Sequence, residues 1–100
     1  MTSKVIIMTG ASSGIGAATV KRLAQDGARI TLAARRAEKL AKLANEVETL
    51  GGEALVVQTD VSKRADIEHM IQATLERWGR IDVLMNNAGI GGDVSFLDID

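Results

Sequence analysis

The sequence predicts an α/β fold with a doubly wound parallel sheet, and three observations carry that prediction. Short apolar runs alternate with longer amphipathic stretches, in the order β-α-β-α-β-α-β. Glycines punctuate the elements, at Gly10, Gly27, Gly51 and Gly79. A glycine-rich turn separates the first apolar run from the first helical pattern. Alternation of this kind gives parallel strands joined by right-handed crossovers.

The first strand is the apolar run Val5 to Met8. The helix after it is expected from Ile15 to about Asp26, with Ile15, Ala18 and Leu23 near one face and Gly27 as a left-handed C-cap. Arg29 to Ala34 is the second strand. The next helix begins near Ala37, and Leu40, Leu43, Val47 and Leu50 recur at spacings of three and four, one apolar stripe on a polar helix. Gly51-Gly52 ends it, and Glu53 to Gln58 is the third strand. Ser62 is placed to cap a helix from Lys63 to Trp78, whose stripe is Ile67, Met70, Ile71, Thr74, Leu75 and Trp78. The fourth strand is Ile81 to Met85, followed by the loop Asn86 to Gly89. Beyond Gly91 no period is legible. The crossovers put the first two helices on one face of about four strands and the third helix on the other, leaving the far edge of the fourth strand uncovered.

One hundred residues suit a single domain, with 46% hydrophobic and 25% charged residues, as in ordinary globular proteins. A net charge of −1 gives no reason to expect nucleic acid or an anionic membrane as partner. The chain has no cysteine, which excludes a disulfide framework and a thiolate metal site. No apolar run approaches bilayer-spanning length and none resembles a signal peptide, so the cytoplasm is the expected location. Tyrosine is absent and His69 is the single histidine, without nearby metal-ligand partners.

The turn Thr9-Gly10-Ala11-Ser12-Ser13-Gly14-Ile15-Gly16 has the spacing G-x-x-x-G-x-G. It is neither the G-x-G-x-x-G fingerprint nor a P-loop, since Ala17 follows Gly16 where a P-loop needs lysine. The physical roles transfer nonetheless. Gly10 permits a tight turn off the strand, Gly14 lets backbone approach a pyrophosphate, and Gly16 lets the helix pack close to the strand. Unpaired N–H groups and the helix dipole favour phosphate there, against the alternative of a glycine turn with no ligand.

At the end of the second strand, a dinucleotide fold uses Asp or Glu for NAD and Arg for a 2′-phosphate. Here Arg35 and Arg36 stand at a helix start, where cations oppose the macrodipole by typically ~0.3–1 kcal/mol. They are either solvated or offset by a phosphate held in guanidinium forks. Asp60 can accept from the exocyclic amine of adenine, or join Ser62 in capping the next helix. Asn86-Asn87-Ala88-Gly89 is either an Asn-rich turn or a flat bed for a ligand.

Taken together, the glycine turn, Asp60-Val61 and Asn86-Asn87-Ala88-Gly89 resemble the short-chain dehydrogenase/reductase family, in order and over essentially the whole chain. The resemblance implies a Rossmann-type fold in which Gly10, Ser12, Ser13, Gly14 and Ile15 line the phosphates of a dinucleotide. It implies that Asp60 and Val61 contact adenine, and that Asn87, Ala88 and Gly89 run beside the adenine-ribose and brace the sheet. Arg35 and Arg36 resemble the NADP-preferring members, so NADP is expected over NAD. One departure concerns the basic residue that some of those members carry inside the glycine loop, where this chain has Ala11, Ser12 and Ser13.

The family's chemistry uses a Tyr-x-x-x-Lys pair, an upstream serine and a further asparagine, and this chain contains no tyrosine. No catalytic residue and no metal site are assigned. The 100 residues are expected to be the N-terminal, cofactor-binding part of a longer NADP-dependent enzyme that acts on an alcohol or carbonyl substrate and is a homo-oligomer when complete. By itself the piece is expected to be inactive. The alternative is a dinucleotide-binding module, or a fragment without function of its own.

Overall fold

A computed structural model describes residues 4–12, 14–86 and 95–98. Its elements are β1 (Val5–Thr9), α1 (Gly14–Gln25), β2 (Arg29–Ala34), α2 (Glu38–Thr49), β3 (Glu53–Gln58), α3 (Arg64–Trp78), β4 (Val83–Asn86) and β5 (Ser95–Asp98). β1 lies at the centre of the sheet because Val5 to Met8 have no polar side chain to present to water, and all five of its residues are buried. The strand order is β3-β2-β1-β4-β5. Four strands are parallel, with Ile7 opposite Thr31 on one side and Leu84 on the other.

Two apolar clusters sandwich the sheet. Val20 and Ala24 of α1 and Leu40, Leu43 and Val47 of α2 pack on Ile6, Met8, Ile30 and Leu32. Met70, Ile67 and Ile71 of α3 pack on Ile7, Ala33 and Val57. The first two helices thus share one face and α3 takes the other, as the crossovers require. Gly27 (φ 82°) and Gly79 (φ 77°) close α1 and α3 in the left-handed region, the latter donating its N–H to Leu75 O at 2.7 Å.

Three expectations change. The buried face of α1 is Gly16, Val20 and Ala24, while Ile15 is 55% exposed; the small side chains let α1 lie against the sheet, which rotates Ile15 away. The α3 stripe is only partly interior: Met70 and Thr74 are buried, whereas Leu75 is 40% exposed. Thr74 is there for a polar reason. Its hydroxyl donates to Met70 O at 2.8 Å and lies 2.7 Å from the hydroxyl of Thr31, so with its one proton spent Thr31 is the donor between them. The third change is at the sheet edge. β5 pairs antiparallel with β4, setting Phe96 opposite Met85, and covers the edge expected to be open. Four residues with two apolar side chains carry no readable period; the open edge of β4 selects them.

Candidate functional site

The carboxyl ends of β1, β2 and β3 carry three loops, each shaped by its own residues. After β1 the chain turns at Gly10, whose φ of 64° favours glycine. The Ala11 amide donates to Ala33 O at 3.2 Å and its methyl is fully buried, which stitches the turn to the end of β2 and leaves Ser12 exposed. A basic side chain at position 11 would therefore be buried in the core. Gly14 opens α1 with a φ outside the left-handed region, and a Cβ there would meet nothing within 4 Å. Neither backbone nor packing demands glycine at this position. The first turn of α1 also contains no acidic residue of its own to offset the positive end of the helix.

After β2, Gln58 Nε2 donates to Arg35 O at 3.1 Å and fixes the chain's exit. Arg35 and Arg36 are exposed. The N-cap of α2 is Ala37, which makes no side-chain cap. Among the described residues neither arginine has a carboxylate within ion-pair distance.

After β3, Thr59 is buried and donates its N–H to Ala34 O at 2.8 Å. Asp60 Oδ1 accepts from Ser62 Oγ at 2.6 Å and from Ser62 N at 3.0 Å, and Asp66 Oδ2 accepts from Asp60 N at 2.9 Å. Ser62 is thus not the helix cap it was expected to be. The N-cap position falls on Lys63, and the Ser62 hydroxyl is used as a donor to Asp60. These two bonds from Ser62, with Arg35 and Lys63 nearby, hold the Asp60 carboxyl below the usual carboxylate range, so it is an anion at neutral pH.

The three loops enclose a cavity of about 470 Å³. It brings together six of the expected residues, Gly10, Ser12, Arg35, Arg36, Asp60 and Val61, and adds Ala34, Lys39, Thr59 and Ser62. Gly14 and Ile15 lie exposed at the start of α1, outside its lining. Ser13, Asn87, Ala88 and Gly89 lie outside the described residues. Asn86 is described at the end of β4, where its Oδ1 accepts from Thr9 Oγ1 at 2.9 Å across the register pair. Lys39 is the charged residue that the sequence reading missed. Its signal was available: it follows Arg36 by three residues and falls in the first turn of the expected helix.

A glycine turn at a helix start, two arginines with no carboxylate within 4.0 Å among the described residues, and a carboxylate, all at the carboxyl ends of parallel strands, are the parts of an anion-accepting site of nucleotide size. A family model described as short chain dehydrogenase matches residues 4–100. The chain belongs to this family. It is 50% identical over 88 residues to an uncharacterized oxidoreductase of Listeria monocytogenes, covering 88% of this chain and 36% of that protein. A metagenomic short-chain oxidoreductase solved in complex with NADP superposes with a TM-score of 0.82 at 44% identity, over 88% of this chain and 40% of that one. An NADH-dependent reductase solved with NAD superposes at 0.80 with 36% identity, over 87% of this chain and 36% of its own. The chain spans about a third of the length of the curated relatives it matches. No helix among its described residues is long and apolar enough to cross a membrane.

Proposed function

We propose that these residues form the N-terminal, cofactor-holding part of an NADP(H)-dependent oxidoreductase of the cytoplasm, one that moves a hydride between nicotinamide and an alcohol or carbonyl substrate. The observation that carries the reading is the cavity at the ends of β1, β2 and β3, walled by a glycine turn on one side and by Arg35 and Arg36 on the other. The dinucleotide supplies the hydride chemistry when bound. This chain's residues do the holding. The turn from Gly10 through Ser12 and Ser13 to Gly14 and Ile15 receives the pyrophosphate at the positive end of α1. Arg35 and Arg36 take a 2′-phosphate, for which a guanidinium fork is the fitting donor. Asp60 and Val61 face the adenine, with Asn87, Ala88 and Gly89 beside its ribose.

The relatives solved with dinucleotides include one with NADP and one with NAD, so the family likeness supports the cofactor class. The choice between the two rests on the arginines. With Ala11, Ser12 and Ser13 in the glycine loop, the cations offered to a 2′-phosphate are those that follow β2. The acid, base and substrate groups belong to chain beyond these residues, and the complete enzyme is read as a homo-oligomer.

Titration of the full-length protein with NADPH and NADH tests the reading. Exchanging Arg35 and Arg36 together for alanine is expected to weaken NADPH binding by at least about tenfold, the scale of one lost charge-assisted pair, and NADH binding far less. Equal losses overturn the 2′-phosphate assignment. A full-length sequence without Tyr-x-x-x-Lys, or one that reduces no carbonyl with NADPH, overturns the enzyme reading.

A further inference from the structure

We propose that Lys39 is the third cation of the 2′-phosphate site and helps set the preference for NADP(H), an inference that rests on the cofactor reading above. Lys39 stands in the first turn of α2, and its N–H donates to Arg36 O at 3.3 Å, so the two residues share one turn. It lines the same cavity as Arg35 and Arg36. It also lines a second hollow of about 180 Å³ between α1 and α2, together with Ser12, Lys21 and Lys42. Ser12 and Lys39 form the lip between the two spaces. An ammonium on a four-carbon stem at this lip can swing into the cavity without moving the backbone.

The charges around it argue for an anion. Lys21 is satisfied by Glu46 at 3.2 Å. Lys42 stands four residues before Glu46, a spacing that normally pairs, yet Glu46 reaches across to α1 instead. Among the described residues Lys39 and Lys42, like Arg35 and Arg36, have no carboxylate within 4.0 Å. Lys39 moreover sits at the positive end of α2, where a cation is disfavoured. A phosphomonoester between Arg36 and Lys39 offsets the cation at the start of α2, since its three acceptor oxygens and near-double charge can be shared between Lys39 and the arginines.

Lys42 is the built-in control. It has the same charge on the same helix one turn on, and lines the smaller hollow but not the cavity. The experiment measures binding of NADPH, NADH, adenosine 2′,5′-bisphosphate and AMP to the full-length protein and its K39A, K42A and R35A/R36A variants, with melting curves as the check on folding. K39A is expected to weaken NADPH and the bisphosphate about three- to tenfold, the range for a solvent-exposed charge contact, and NADH and AMP less than about twofold. K42A is expected to change none of them by more than about twofold. Equal losses in K39A and K42A mean diffuse electrostatics and overturn the inference. So does a K39A loss shared by NADPH and NADH. If R35A/R36A loses NADPH selectively and K39A does not, the inference fails while the cofactor reading stands. If the folded wild type binds neither dinucleotide, both fail.

Discussion

Asp82 ties the start of β1 to the approach of β4. Its Oδ2 accepts from Val5 N at 2.8 Å, its own N–H donates to Val5 O at 2.8 Å, and Arg80 Nε donates to Oδ1 at 3.1 Å. The bond from Val5, then that from Arg80, holds this carboxyl below the usual range. A carboxyl whose pKa is lower folded than unfolded contributes stability above its ordinary pKa and loses it as pH falls through the folded value. Stability is therefore expected to drop below about pH 4. D82N is expected to cost about 1 kcal/mol at neutral pH, because the amide still accepts but without charge, and to flatten the acid limb so that the two proteins converge once Asp82 is protonated. Urea midpoints across pH check this; a constant gap at all pH values would refute it. At this scale the sequence was legible where charge stood against a local rule, as with two arginines at a helix start. It was silent about Asp82, whose partner lies 77 residues away. It left Asp60 open between adenine and a helix cap shared with Ser62, and the structure gives its Oδ1 to Ser62.

Two glycines differ in what the fold asks of them. At Gly52, between α2 and β3, a Cβ would come 2.7 Å from Ala28 O and 3.1 Å from Val47 Cγ1, so the chain needs glycine there for its own packing. At Gly14 a Cβ meets open space on a compatible backbone. A glycine at a helix start that the fold does not require loses chain entropy for nothing, unless something outside the chain must come close. G14A is accordingly expected to leave stability unchanged or raise it by up to about 1 kcal/mol while weakening dinucleotide binding at least about tenfold. Melting curves with and without NADPH separate the two effects, and a G14A variant that binds normally would refute the role given to this residue. Helix faces and strand positions were legible because period and punctuation agree, most plainly in Leu40, Leu43 and Val47. What failed at this scale had weak periods: α1, which packs through glycine and alanine, and β5, four residues selected by a partner edge.

Across the whole molecule the two ends of the sheet have opposite electrostatic habits. At the amino ends of the strands several charges lie in ion pairs and the backbone ladder continues past the strands. Arg29 Nε lies 3.3 Å from Glu53 Oε2 in a register pair, Trp78 Nε1 donates to the same carboxylate at 3.3 Å, and Arg80 meets Asp82. Arg29 N and Glu53 N continue the ladder to Lys4 O and Ala28 O at 2.9 and 3.0 Å. At the carboxyl ends Arg35, Arg36 and Lys39 have no carboxylate within 4.0 Å among the described residues, and all three are exposed. One end closes the structure and the other is left incomplete. Amide exchange should report the division residue by residue. The β1 amides, buried and paired on both sides, are expected to exchange with global unfolding, and those of β3, a half-exposed strand paired only with β2, orders of magnitude faster. Saturating NADPH in the full-length protein is then expected to slow exchange at residues 10–12, 35–39 and 59–62, and to leave 29, 53 and 82 unaltered beyond the gain common to all amides that ligand binding gives. Uniform slowing would mean that the ligand stabilises the fold without contacting these loops. Slowing confined to the carboxyl ends identifies the incomplete end of the sheet as the place where the dinucleotide completes it.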